Sequence, residues 1–282
     1  MQTIKRIREW TYQHAIPAAF IIFILLEIFL ICLGKLLSLL PKTLPVQYLS
    51  QIILIIIPVA LVCFFGFSRT FKKGHFFRGL LYCLPLIVVQ VIALIIFFAG
   101  NLGNPEANWK PWYLIIFELF TIIGVGIREE CIYRATLQNI VAKKHAISVK
   151  GIWIAVIIGA VIFGLCHASN IFFGVEWQGV VKQVISATFI GVLFGAVYLR
   201  SGSIWALILV HTLTDVAGLA RSIFMNVSDV EIMSGLSFSW TSLLFDLAYV
   251  GIAIFLLRPS KCKQVYENLC FADEKPEAPP LS

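Results

Sequence analysis

Three groups of residues carry the types and spacings that chemistry needs: Glu129-Glu130-x-x-x-Arg134, Phe163-x-x-x-His167 and His211-x-x-x-Asp215. Residues i and i+4 of a helix share a face. Glu130 is therefore expected to pair with Arg134, which leaves Glu129 turned toward another face. His211 and Asp215 point the same way, one turn apart. An unpaired carboxylate near two imidazoles is the material of general acid–base catalysis on water. The same two Glu and two His also offer oxygen and nitrogen ligands to zinc, although the compact HExxH spacing is absent. The expectation is a site with no cofactor, with zinc as the alternative. Phe163 is expected to pack. Taken singly, each motif also fits a solvated helix end; together, 38 residues apart from Glu129 to His167 and 44 from there to His211, they argue for a site.

The elements that must position these residues are apolar. Of 282 residues 60% are hydrophobic and 13% charged, and the mean hydropathy is +0.92. A soluble domain carries about 25% charged residues. Eight stretches are expected to cross a bilayer as helices of roughly 20 residues: 16–40, 46–67, 77–99, 112–127, 152–167, 184–199, 204–219 and 240–257. Continuous apolar runs favour helices over strands, since lipid requires backbone groups to be satisfied within the segment. Ionisable residues inside such spans are costly and mark function.

Lys and Arg set the orientation. With the first stretch kept as a membrane helix and the N-terminus inside, 17 of the 22 basic residues fall on the inner side, and Lys35, Lys42, Lys110, Lys182 and Arg221 fall on the outer side or at span boundaries. Both termini are expected to be cytoplasmic. The net charge of +7 is thereby a topology signal, with no nucleic-acid partner. Seven cysteines without a CxxC pair are expected to be reduced. The expected divisions are 1–100 with helices 1–3, 101–222 as the core with helices 4–7, 223–260 as an outer loop and helix 8, and 261–282 as a cytoplasmic disordered tail.

Spans four and five would form a hairpin turning near Lys144–Ser148. At 1.5 Å per residue Glu129 lies about 20 Å from that turn, His167 under about 30 Å, and His211 about 12 Å into its helix. The levels agree if the hairpin protrudes about 10 Å, which would put the site in the inner half of the membrane, open toward the cytoplasm.

The ordered series of EExxxR, FxxxH and HxxxD, over roughly 112–220, resembles the CPBP family. These are CAAX-protease and bacteriocin-processing intramembrane proteases, related to the type II CAAX prenyl endopeptidase. The resemblance implies an all-α membrane fold and a glutamate-dependent endopeptidase. Glu129 would be the general base that activates water. His167 would hold that water and shuttle the proton. His211, with Asp215, would stabilise the oxyanion, a donor typically worth about 2.7–4 kcal/mol. Glu130–Arg134 would be a structural brace. One position departs from the pattern: many members have Asn where this chain has Asp215.

The implied partners are a membrane-associated peptide or protein substrate and the lipid bilayer. The implied location is an integral membrane protein, in the plasma membrane if the source is bacterial. Two other classes share the residues: a non-catalytic bacteriocin immunity or binding protein on the same scaffold, and a transporter. The sequence leaves the substrate and the oligomeric state open.

Overall fold

A computed structural model describes residues 2–72 and 74–271. Every long element is a helix, and among the described residues the one extended pairing is a bridge between Trp109 and Met225. The chain opens with α1 (Gln2–Gln13), α2 (Ala15–Leu37), α3 (Leu44–Phe64), α4 (Phe76–Tyr82) and α5 (Leu84–Asn101). The central part holds α6 (Trp112–Ile132), α7 (Asn139–His145), α8 (Val149–Cys166), α9 (Trp177–Ser201) and α10 (Ile204–Gly218). The last part holds α11 (Ala220–Phe224), α12 (Asp229–Ser234), α13 (Trp240–Leu256) and α14 (Cys262–Asn268).

Helices occupy all eight of the apolar stretches. Among the described residues, five helical segments are long and apolar enough to cross a bilayer: α2, α3, α5, 149–173 and α9. A sixth is formed if α13 and the helix after it, bent by 60°, count as one. The chain is thus a polytopic, all-helical membrane protein. At 15 residues α10 is short. Lipid-facing helices show themselves by what they leave bare: Ile24, Leu25 and Ile28 on α2 and Ile92, Ile95 and Ile96 on α5 are exposed. Trp10, Trp112, Trp177, Trp205 and Trp240, near helix ends, are exposed too, as interface anchors are.

Local chemistry fixes the helix starts. The Ser148 hydroxyl accepts from the Gly151 amide at 3.1 Å and opens α8. Ser203 does the same for α10 through Ala206, and Ser239 with Ser242 forms a capping box on α13. Gly202 ends α9 with φ +68°, a left-handed conformation that only glycine adopts cheaply.

Two ends of the bundle are distinct. One gathers α1, 65–72, 74–75, 143–150, 200–203 and 258–271: Lys144 donates to the Gln13 carbonyl, the His75 amide to Ser201 at 2.8 Å, and Asn268 to the Arg200 carbonyl at 2.7 Å. The other gathers 101–111, 167–177 and 219–239, where the Lys110 amide bonds Phe224 at 2.9 Å and the Asn226 amide bonds Asn108 at 3.0 Å. The segment expected as a patternless outer loop carries α11 and α12.

The expected disordered tail is corrected in part. Residues 262–268 are helical, and Cys262, Val265, Leu269, Cys270 and Phe271 are buried. An i, i+3, i+7, i+8 apolar set inside a basic stretch closes the core from below. The remainder, 272–282, lies outside the described residues. None of the seven cysteines is in a disulfide.

Packing between α8 and α9 depends on glycine. A Cβ on Gly191 would lie 3.1 Å from both Ala160 Cα and Phe163 Cδ1. Small residues of this kind let membrane helices approach closely. Gly191→Val should cost about 1–3 kcal/mol through overpacking and lower the thermal midpoint in detergent. Gly251→Val, whose Cβ would meet nothing within 4 Å, should leave the midpoint unchanged. Equal midpoints for the two variants would mean that this contact does not constrain the bundle.

Candidate active site

α6 delivers both glutamates to the interior. Its apolar stretch runs from Trp112 with one charge, Glu118, and then meets Arg128, Glu129 and Glu130. Beyond Ile132 the backbone widens into a π-helical turn, Tyr133–Gln138, before α7 continues to His145. The Thr136 hydroxyl donates to the Cys131 carbonyl, five residues back, at 2.9 Å. Such π turns inside helices are frequent at functional sites. Gly126 permits α10 to come close, since a Cβ there would lie 2.6 Å from Thr212 Oγ1 and 3.3 Å from the Ile208 carbonyl. That approach places His211 against the glutamates.

Glu130 and Arg134 are both fully buried, with Arg134 Nη1 3.4 Å from Glu130 Oε1. The expected pair forms, and more is attached to it. The same Glu130 oxygen accepts from His211 Nδ1 at 2.7 Å. The Arg134 guanidinium lies over the Phe163 ring, 4.1 Å from its centroid, with Phe194 at 5.4 Å on a second side. A desolvated cation over an aromatic face gains about 2 kcal/mol or more. Phe163 in turn meets His167 edge-on at 5.4 Å and His211 at 5.6 Å. The residue expected merely to pack is the common neighbour of Arg134 and both histidines.

Glu129 faces away from that pair, as its spacing required, and its side chain keeps 16% of its exposure. His211 Nε2 sits 3.6 Å from Glu129 and 3.6 Å from Asp215. Glu130, and not Asp215, therefore holds Nδ1 and orients the ring. His167 ends α8, its Nδ1 3.1 Å from the Phe163 carbonyl. With Nδ1–H donating there, Nε2 keeps its lone pair. Glu129, Cys166 and His167 each present a ligand atom within 4.8 Å of the other two. An oxygen, sulfur and nitrogen triad with an open fourth position is a donor set that zinc accepts.

Cys166, Tyr133 and Lys182 were not singled out from the sequence as members of the site, whereas Glu27, Glu118 and Asp246 stand out in it as ionisable residues in or near spans. Cys166 immediately precedes His167. Tyr133 donates to Glu27 on α2 at 2.8 Å, which ties the outer helix to the level of the site. Lys182, expected at a loop boundary, lies inside α9, which starts at Trp177; it bonds Ser186 at 2.6 Å and the buried Asp246 at 3.1 Å. A lone charge spaced four residues from a serine was the available signal. Glu118 pairs with Lys110 at 2.7 Å.

One cavity of about 810 Å³ is lined by Glu27, Glu118, Tyr133, Cys166, Lys182 and Asp246. It contains Glu129, His167, His211 and Asp215 and widens past Asn170, Gln183, Asp229 and Met233, at the end that holds 167–177 and 219–239. Glu27, the α2 residue that bonds Tyr133, lies about 18 Å along the helix from Ala15 and about 15 Å from Leu37. The cavity lining continues on the side away from the basic end. The reason is packing: on the basic side of the site, 130–142 and 193–201 are buried throughout.

An all-α membrane protein with a carboxylate–histidine cluster in an intramembrane cavity is thus defined by fold and site. Residues 110–217 match the family described as type II CAAX prenyl endopeptidase Rce1-like. The match covers the segment from α6 to α10, which is similar to this family of CAAX proteases. Comparison with curated proteins returned no match, and neither did comparison with solved structures.

Because Arg134 compensates a fully buried carboxylate, Arg134→Ala should cost about 3–5 kcal/mol and sharply reduce the yield of folded protein in detergent. Normal yield and midpoint with complete loss of function would instead make Arg134 part of the chemistry.

Proposed function

We propose that this chain is a glutamate-dependent intramembrane endopeptidase that crosses the bilayer eight times, with its basic end in the cytoplasm. The observation that supports it is the convergence of Glu129, His167 and His211, from three helices, on one wall of the cavity. Glu129 takes a proton from water, and the water oxygen attacks the peptide carbonyl carbon. His211 works in its doubly protonated form: Nδ1–H is held by Glu130, and Nε2–H faces the oxyanion. Asp215, one turn along α10, balances its charge. The proton held by Glu129 and relayed by His167 reaches the amide nitrogen as the C–N bond breaks. Glu130, Arg134 and Phe163 hold the two rings in place.

The triad of Glu129, Cys166 and His167 favours a second reading, in which zinc activates the water. The two readings differ at Cys166, which has no part in the metal-free reaction.

Comparative peptidomics of membranes carrying wild-type or variant protein tests the proposal. Glu129→Gln, nearly isosteric, should remain folded and lose product by at least the 10²–10⁴-fold that a general base contributes. His167→Ala and His211→Ala should also lose strongly. Asp215→Asn should retain substantial activity, since an amide meets His211 at the same position. Chelation and Cys166→Ala should leave the rate unchanged. Activity that disappears with chelator, returns with zinc and fails in Cys166→Ala would establish the metal reading. A folded Glu129→Gln protein with an unchanged peptide profile would remove the peptidase reading.

A further inference from the structure

We propose that the basic end of the bundle binds a phospholipid with an anionic headgroup, its phosphate among Arg78, Arg200 and Arg258 and one acyl chain along the groove between α4–α5 and α13. This is independent of the peptidase reading, because none of these residues lines the cavity that holds Glu129.

Arg200 carries the argument. It lies in the last turn of α9 and keeps 6% of its exposure. Among the described residues, its Nε and Nη1 reach no hydrogen-bond partner. A guanidinium does not shed its proton in a protein, and a buried charge without a partner is costly. Other buried cations of this chain are matched, Arg134 by Glu130 and Lys182 by Asp246. Among the described residues, neither Arg78, Arg200 nor Arg258 forms an ion pair. Arg78 and Arg258 instead bear on Arg200 with like charge.

The fold gathers the three from distant segments. α4 lies so close to the end of α9 that a Cβ on Gly79 would stand 3.3 Å from the Ser201 hydroxyl. Arg78 shares a face of α4 with Tyr82, one turn on, and the Arg200 guanidinium lies 5.6 Å from the Tyr82 ring centroid. Arg258 follows α13. Its guanidinium lies 4.2 Å from the Phe255 centroid, and its Nη1 donates to the Phe255 carbonyl at 2.6 Å.

Those two rings lead into the groove. Tyr82 and Phe255 line it with Leu81, Pro85, Gly251 and Ile252, and its volume is about 620 Å³. α4 and α13 both pack on α9, and the groove runs between them. From Ala248 to Leu256 it follows α13 for about 12 Å. Apart from the Tyr82 hydroxyl, its side chains are hydrocarbon, and a Cβ on Gly251 would meet nothing within 4 Å. A small water-soluble anion would use the arginines and leave this groove without a role. A phospholipid uses both, since guanidinium groups grip phosphate through paired hydrogen bonds and basic pockets between membrane helices take lipid headgroups.

Delipidated protein in detergent tests the proposal. It is titrated with phosphatidylglycerol, with phosphatidylcholine of the same chains and with inorganic phosphate, and read by thermal midpoint and native mass spectrometry. Phosphatidylglycerol should raise the midpoint and remain as a single adduct; the other two should do neither. Arg78→Gln and Arg258→Gln should each weaken its apparent affinity about fivefold. Arg200→Met, which keeps an apolar stem, should lose the adduct with a lipid-free midpoint no lower than wild type. Gly251→Phe, which fills the groove, should lose the midpoint shift. A shift as large with phosphatidylcholine or with inorganic phosphate overturns the proposal. So does a phosphatidylglycerol adduct that survives in Arg200→Met, or a shift that persists both in Gly251→Phe and in the double variant Arg78→Gln with Arg258→Gln.

Discussion

The Glu130 carboxylate has no water to solvate it, and three other groups are arranged around the consequence. Arg134 supplies the opposing charge, His211 supplies a hydrogen bond, and Phe163 with Phe194 supplies aromatic faces for the guanidinium. A buried pair of charges is poor evidence of net stability, because desolvation offsets most of the attraction. What it does well is specify. Only one placement of α10 against α6 gives Glu130 its imidazole, and only one placement of α8 puts Phe163 under Arg134. The ring that orients the guanidinium also meets both histidines, so the charge pair and the two imidazoles are fixed by the same contacts. Glu129, one residue earlier, is turned out of this cluster by helical geometry and faces the cavity.

How much of this was legible in the sequence follows from the range of each interaction. Glu130 with Arg134 is an i, i+4 relation, and helical periodicity exposes it. The apolar stretches are equally local, and helices occupy all eight. The bond between Glu130 and His211 spans 81 residues and depends on how closely two helices pack, which a glycine at 126 makes possible but does not announce. The π-helical turn at Tyr133–Gln138 leaves no mark in the apolar pattern, because one extra residue per turn shifts a face without changing composition. Lys182 was read as a boundary because a lone lysine in an apolar run resembles a span end; its partner Asp246 is 64 residues away. The tail was misread over 262–271 for a related reason. Five apolar residues among charged ones look weak as a helix alone, yet they are sufficient when a finished bundle offers them a surface.

The extent of the cavity was not legible because the sequence reading aligned levels and could not weigh packing. Counting residues along the α6–α8 hairpin gave a correct common level for Glu129 and His167. Which side of that level is filled depends on side chains from five helices, and no periodic pattern reports it. Buried Gln138 and Asn139 carry part of the answer: Gln138 donates to the Gly195 carbonyl at 3.0 Å and Asn139 to the Ala135 carbonyl at 3.0 Å and to Tyr198 at 2.8 Å. Polar groups buried this way can be satisfied only by protein, so the region that holds them is closed.

That asymmetry bears on how hydrolysis can occur inside a membrane at all. Water must reach Glu129, and lipid must not. A channel open at both ends would admit water and dissipate gradients across the bilayer. A cavity that ends within the bundle hydrates its wall from one side, while in the packed half Gln138 and Asn139 donate to protein carbonyls. Glu129, proposed as the base, keeps part of its exposure; Glu130, which holds His211, lies one residue away in the packed half, where it has none. Adjacent glutamates on one helix divide the wet and dry tasks because consecutive positions on a helix point about 100° apart.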